Sequence, residues 1–400
     1  MKKQSKRTVT PKLRFPEFRD KGKWELKTIE ALARVTQGGT PDTSNADYWG
    51  GPINWLTPAE MSKDNSPYIE STNRTLSEEG LHNCSSELLP AYSVIISTRA
   101  PIGHLAINTE PMAINQGCRG LVPVNDAHFL YYSLMRIKAK LIDLGAGNTF
   151  KELSGTTLKH FELPTPTPAE QQKITDCLSS LDNLIAAEGR KLAALRDHKR
   201  GLMQQLFPHE GETVPQLRFP EFRGKAGWIM FHLGELCSIK TGKKDANEGA
   251  VDGRYPFFTC AGDHSYSHSY SFDTEAILVA GNANVGEVKY YKGKFEAYQR
   301  TYVLADFSGI DIQYLYAYLA ANLRPSLLRQ VQTSAMSYIK LPMLQQYKVV
   351  APPSAPEQQK IADCLSSLDD LIGAHAKKVE LLKQHKKGLM QQLFPAPEEQ

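Results

Sequence analysis

Four hundred residues with 41% hydrophobic content leave room for two to three domains, each able to bury its own core. The net charge of +4 is mild and fits a protein that touches nucleic acid with part of its surface, so it excludes only strongly acidic or strongly basic classes. No run of eighteen apolar residues occurs and the basic opening MKKQSKRTVTPKLR lacks an apolar signal core, so neither a spanning helix nor a secretory leader is expected and the chain is expected to be soluble and cytoplasmic.

In chain order, the basic opening runs into LRFPEFR at 13–19, a heptapeptide that returns at 217–223, 204 residues later. A first body, roughly 24–165, opens on Trp24. Its loop QGGTPDTSNADYWGG at 37–51 is rich in small polar and aromatic residues suited to surface recognition. Strands are expected at 93–98, 104–109 and 119–124, and an amphipathic helix at 128–144. A long helix follows, 170–208, and its sequence returns at 357–395 with an offset of 187. Between the two lies a second body, roughly 228–352, opening on Trp228. It carries a polar loop KTGKKDANEGAVDGRY at 240–255, expected strands at 276–280, 287–291 and 295–304, and an expected helix at 311–322. The chain is thus an internal repeat whose ends stayed alike while its middles diverged.

That contrast carries functional information. Core packing explains matching Leu and Ile, but it gives no reason for identical polar pairs such as Gln171-Gln172 and Gln204-Gln205, repeated as Gln358-Gln359 and Gln391-Gln392. Alike ends imply a shared partner docked on the helices, and unlike bodies imply two targets. An undrifted recent duplication fits badly with bodies that have drifted so far.

The helices carry a coiled-coil seam. In the first it comprises Leu178, Leu181, Ile185, Leu192, Leu195, Leu202 and Leu206, with Glu188 and Lys199 as polar members. In the second it comprises Leu365, Leu368, Ile372, Val379, Leu382, Leu389 and Leu393, with His375 and Lys386. Thirty-seven helical residues span ~55 Å. Parallel pairing in register would bring Lys199 against Lys386, whereas antiparallel pairing lays the acidic first half of each helix beside the basic second half of the other. Antiparallel pairing also brings the two ends that flank the second body together. The expected fold is therefore α+β: two mixed α/β bodies separated by two long helices in an antiparallel coiled coil, with pseudo-twofold internal repetition. Each LRFPEFR is expected beside a QQLFP helix end.

Catalytic patterns are missing. GNANVGEV at 281–288 has P-loop glycines but lacks the Lys-Ser/Thr of a phosphate clamp. GAGNTF at 145–150 lacks the third glycine of a dinucleotide fingerprint, and no Asn-Pro-Pro-aromatic motif for amino-group methylation occurs. The eleven histidines show no HExxH motif, and the six cysteines show no CxxC pair, so neither a metal site nor a disulfide framework is expected. The expected protein is not an enzyme and holds no cofactor.

Taken together, RVTQGGTP, YWGGPINWLTP, STRAPIG and NQG in the first body, and the Pro-rich PTPTPAEQQKI and APPSAPEQQKI before the helices, resemble the DNA-specificity subunit of type I restriction–modification systems, over nearly the whole chain. The resemblance implies two target-recognition domains, 1–165 and 209–352, and two spacer helices, 166–208 and 353–400. Each domain would read one half of a split, asymmetric site in double-stranded DNA. Two methyltransferase subunits would dock on the helices through the repeated glutamines, and restriction/translocase subunits would join them. S-adenosylmethionine would belong to the methyltransferase, and ATP and Mg to the restriction partner. The implied DNA-binding residues are Thr40, Thr43, Tyr48, Arg99, Asn115 and Gln116 in the first domain. In the second they are Lys240, Thr241, Lys243, Lys244, Asn282, Asn284 and Arg300. Arg suits guanine, Asn and Gln suit adenine, and Lys suits phosphate or guanine. STRAPIG and NQG also read as structural turns. A tandem scaffold for protein or glycan ligands, and a metal-dependent nuclease hidden in one body, are the competing readings.

Overall fold

The computed structural model describes residues 8–61, 67–146, 152–209, 211–331 and 338–395. Residues 1–7 of the basic opening and 147–150 of the GAGNTF stretch lie outside them. The chain divides into two compact units, one formed by 1–190 with 377–400 and the other by 191–376.

In the first unit, strand Trp24–Thr28 is flanked antiparallel by Thr8–Val9 and Glu162–Thr165. The main sheet runs Ala33–Gln37, Cys118–Pro123, Val94–Ser97, Leu105–Asn108, Tyr68–Ile69, and a small sheet holds Trp49–Leu56 between Thr75–Leu76 and Met112–Ile114. The SVIIST segment reads as an unbroken apolar run because its strand is covered on both faces. Val94 and Ile96 enter a core with Trp24 and Phe129, while Ile95 enters another with Leu56, Leu89 and Met112. The expected helix at 128–144 is two helices, Ala127–Arg136 and Lys138–Ala146. The break falls at Ile137 (φ −104°, ψ 10°), whose N–H closes the first helix on the Leu134 carbonyl. Both pieces keep the apolar stripe because Ile137 and Leu141 enter the same core, which is why periodicity alone does not reveal the break.

In the second unit, Ile229–His232 pairs with Lys348–Ala351. Its main sheet runs Ser238–Thr241, Thr301–Ala305, Phe272–Ala280, Val288–Ala297, Tyr255–Phe258, Ser265–Ser267. The expected strand at 295–304 is corrected to the end of one strand and the start of another. Thr301 N–H turns back onto the Tyr298 carbonyl at 2.8 Å, and Ala297 and Thr301 pair with different neighbours, Phe258 and Ala280. The expected strand at 287–291 is the beginning of that same long Val288–Ala297 strand. The helix is Ile312–Val331, longer than the expected 311–322.

The long helices are Pro168–Leu206 and Ala355–Leu393. Each unit explains one copy of LRFPEFR. In the first, Arg14 donates from Nε and Nη2 to the two carboxylate oxygens of Glu170, both at 2.7 Å, and from Nη1 and Nη2 to the carbonyls of Lys21 and Gly22. Trp24 Nε1 donates to the same carboxylate at 3.2 Å, and Leu13 N–H donates to the Gln392 carbonyl at 2.9 Å. In the second, Arg218 bonds Glu357 at 2.7 and 2.8 Å and the carbonyls of Lys225 and Ala226. Trp228 Nε1 donates to Glu357 at 3.2 Å, and Leu217 N–H to the Gln205 carbonyl at 2.9 Å. Both glutamates are 1% exposed. Only a planar guanidinium fork serves two carboxylate oxygens and two carbonyls at once. Removing one member of such a buried pair costs about 3–5 kcal/mol, so the heptapeptide is held by the first turn of a long helix and by a QQLFP helix end.

Candidate nucleic-acid interface

Each main sheet carries three comparable loops: one after its edge strand Ala33–Gln37 or Ser238–Thr241, one after Val94–Ser97 or Phe272–Ala280, and one leading into Cys118–Pro123 or Thr301–Ala305. In the first unit the loop after Ala33–Gln37 passes Gly38 and Gly39, whose N–H bonds the Ile114 carbonyl at 2.9 Å. A Cβ on Gly38 would stand 2.0 Å from the Asn115 carbonyl oxygen, so only glycine lets the chain lie there. The turn after Val94–Ser97 is the STRAPIG segment, and Thr98 N–H reaches the Gly117 carbonyl at 2.8 Å. The third loop, Asn115–Gln116–Gly117, enters the strand Cys118–Pro123.

These loops bring four of the six expected residues together. Asn115 Nδ2 donates to Thr40 Oγ1 at 2.9 Å and to Gln116 Oε1 at 2.8 Å, and Thr40 hydroxyl donates to Gln116 Oε1. Asn115 Oδ1 accepts from Gly117 N–H at 2.9 Å. Arg99 stands beside Gly117 and pairs through Nε with Glu152 at 3.2 Å. Gln116 and Arg99 are exposed, and Asn115 and Thr40 half-buried, so the outward members face solvent on a hydrogen-bonded base. Among the described residues, Thr43 and Tyr48 make no hydrogen bond to this cluster. Thr43 lies exposed in the loop beside Asp42, whose carboxyl is held below the usual range by the Ser44 N–H and hydroxyl. Tyr48 is half-buried, its carbonyl accepting from Ser77 N–H.

The second unit repeats the plan with other chemistry. Gly242 lies so close to the Ala297 carbonyl oxygen that a Cβ would stand 1.7 Å from it, and its N–H points at the Thr301 carbonyl. The hairpin turn at 281–287 is tied by Gly281 N–H to the Arg300 carbonyl at 2.9 Å. Lys240, Thr241 and Lys243 line a concave pocket of about 840 Å³ with Ser271, Phe272 and Tyr302. Lys240, Thr241, Lys243 and Arg300 are exposed, the last with its guanidinium 5.7 Å from the Tyr338 ring. Asn282 follows Gly281 and is half-buried, while Asn284 gives its carbonyl to Glu287 N–H within the turn.

Lys244 departs from expectation. Its ammonium donates to Ser267 Oγ and Ser269 Oγ, both at 2.9 Å, and lies 3.8 Å from the buried Glu296 carboxylate. It fastens the loop to the neighbouring segment rather than reaching outward. Two partner-facing glutamines are likewise corrected. Gln171 and Gln358 are each 4% exposed and donate to the Pro166 and Pro352 carbonyls at 3.0 and 2.8 Å. Their repetition is structural, because each secures the Pro-rich entry to its helix. Gln172, Gln204, Gln205, Gln359, Gln391 and Gln392 face solvent.

Sequence reasoning missed two arginines in the first unit. Arg119 donates to the Gln116 and Cys118 carbonyls at 3.2 and 3.0 Å, and its place two residues after Gly117 was the available signal. Arg74 stacks 3.5 Å over the Trp49 ring, a pairing no sequence spacing announces.

The comparisons with known proteins agree with this architecture. The family model described as the type I restriction modification DNA specificity domain matches residues 21–197 and again 225–384. The chain belongs to this family, and carries its domain twice. The type I restriction enzyme MjaIX specificity subunit of Methanocaldococcus jannaschii is 26% identical over 401 residues, covering 92% of each chain. The EcoprrI specificity subunit of Escherichia coli is 24% identical, covering 88% of each. Among solved structures, a type I restriction–modification S subunit from M. genitalium superposes with a TM-score of 0.66 at 18% identity, over 97% of this chain and 99% of that one. Among the described residues no helix is long and apolar enough to cross a membrane.

Proposed function

We propose that this chain is the sequence-reading subunit of a type I restriction–modification complex, recognising a bipartite, asymmetric site in double-stranded DNA. The observation that carries the reading is the contrast inside the repeat: the same Arg–Glu–Trp clamp in both units, and the same three loops filled with different side chains. The domain at 1–165 presents hydroxyl, amide and guanidinium groups through Thr40, Asn115, Gln116 and Arg99. The domain at 209–352 presents mainly ammonium and guanidinium groups through Lys240, Lys243 and Arg300. Both sets match the donors and acceptors of major-groove base edges and the charge of phosphates. Thr43, Tyr48, Thr241, Asn282 and Asn284 lie on or beside the same loops and belong to the proposed surface.

The helices 166–208 and 353–400 act as an antiparallel coiled-coil spacer. In the first unit Lys386 bonds Asp182 at 2.5 Å and Lys378 bonds Glu188 at 2.5 Å, so one helix ascends as the other descends. In the second, Lys199 bonds Asp369 at 2.5 Å. All fourteen apolar seam residues are buried or half-buried, whereas Leu184, Leu371 and Leu381 off the seam are exposed. Each helix region docks one adenine methyltransferase subunit, giving two per chain, and restriction/translocase subunits complete the assembly in the cytoplasm. S-adenosylmethionine, ATP and Mg act in those partners.

Co-expression with a cognate methyltransferase, in a host lacking adenine methylation, followed by single-molecule sequencing, tests this. A gapped motif with unlike halves, methylated on both strands, is the expected result. A soluble co-purifying complex that leaves DNA unmodified would overturn the reading.

A further inference from the structure

The second unit carries a charged aromatic ladder that begins at the far end of the 240–255 loop. The Arg254 guanidinium lies 5.6 Å from the Tyr255 ring centre, the Tyr255 and Tyr270 rings are 4.9 Å apart, and the Lys294 ammonium lies 4.7 Å over Tyr270. Tyr255–Phe258 sits between Ser265–Ser267 and Val288–Ala297; the latter carries Lys294, and Tyr270 lies in the segment that follows Ser265–Ser267. Arg254, Tyr270 and Lys294 are exposed.

Neither cation is consumed by the fold. Among the described ion pairs, Lys294 meets only Asp273, at 4.0 Å with both groups about half exposed, and Arg254 meets none. Asp252, two residues before Arg254, is turned toward His268 at 3.5 Å. A ring face fixes a cation without neutralising it, so the ladder holds Arg254 and the loosely paired Lys294 toward solvent. It is continuous with the candidate interface, since Ser271 and Phe272, directly after Tyr270, line the pocket with Lys240 and Lys243.

We infer that Arg254, Tyr255, Tyr270 and Lys294 form a phosphate-positioning surface that grips the DNA backbone beside the half-site read by the second domain. It supplies affinity and register without sequence preference. The inference rests on the functional reading above, and it divides labour within one domain: the loop pocket selects bases, the ladder holds the strand.

The test uses the complex of the full chain with its methyltransferase and a duplex containing the methylated motif. Binding is measured across a salt series for wild type and for R254Q/K294Q. Each neutralised phosphate contributes about 0.9 to the slope of log affinity against log salt, so the double variant should lose nearly two from the slope while methylating an unchanged motif. Y255L/Y270L, which keeps both charges but frees them, should weaken binding less and leave most of the slope. An unchanged slope in R254Q/K294Q, or an altered motif, would overturn the inference. Wild type that binds the duplex with no salt slope would instead overturn the DNA-reading assignment itself.

Discussion

The two units solve the same mechanical problem identically and the recognition problem differently. Arg14, Glu170 and Trp24 are matched bond for bond by Arg218, Glu357 and Trp228. At the sheet ends, by contrast, the first unit has an amide and hydroxyl network around Asn115 and the second a lysine-lined pocket around Lys243. The buried clamp is hydrogen-bonded on every side, by the carboxylate, two carbonyls and the indole N–H. The loops tolerate change freely because their backbone is held by glycine approaches and main-chain bonds, leaving the side chains to vary. A repeat built this way keeps its helices constant and its specificity adjustable.

Breaking the common frame should give the largest effects, equal in the two units. Glu170→Ala and Glu357→Ala each leave a buried guanidinium without its carboxylate, and each should destabilise its own unit by about 3–5 kcal/mol. Denaturant unfolding, with hydrogen exchange to locate the loss, checks both the size and the confinement to one unit. Breaking one loop platform should instead separate the halves. Gly38→Ala and Gly242→Ala force a Cβ onto a carbonyl oxygen, and each should weaken binding to the full site at least about tenfold, a loss of ~1.4 kcal/mol. Half-site mismatches should then stop mattering only on the side whose platform was broken, which competition binding reads directly.

Smaller effects sharpen the comparison. Lys386 and Asp182 are 13% and 15% exposed and Tyr132 hydroxyl also donates to that carboxylate at 2.7 Å, whereas Lys199 and Asp369 are 20% and 48% exposed. Lys386→Met should therefore cost about 2–3 kcal/mol and Lys199→Met less than about 1 kcal/mol, measured as unfolding free energies. Smallest of all, Lys244→Met should reduce affinity a few-fold without changing the methylated motif, because it loosens the loop and removes no base contact. A changed motif on sequencing would make Lys244 a reader.

Much of this was legible in the sequence. The two long helices, the docking of LRFPEFR beside QQLFP, and the central strands at 93–98 and 276–280 follow from periodicity and repetition, which report burial. Repetition misled where burial and exposure produce the same identity. Gln171 and Gln172 are equally repeated, yet one is locked on Pro166 and the other faces solvent. Lys243 and Lys244 are adjacent and chemically alike, and only the fold turns the second onto Ser267 and Ser269. Arg74 on Trp49, and the ladder from Arg254 to Lys294, join residues from separate strands, so no local pattern marks them. The break at Ile137 was hidden because the apolar pattern continues across it, and the one at 298–300 because Tyr298, Gln299 and Arg300 are flanked on both sides by strand-forming residues.

The central claim is that each body reads its own half of one site. The most direct measurement replaces the first body by a second copy of residues 228–352, leaving both helices and both LRFPEFR segments intact, and sequences the methylated DNA made by that chimera with its methyltransferase. The account predicts a symmetric motif in which the second half-site occurs twice in inverted orientation. An asymmetric motif identical to that of the natural chain would contradict it.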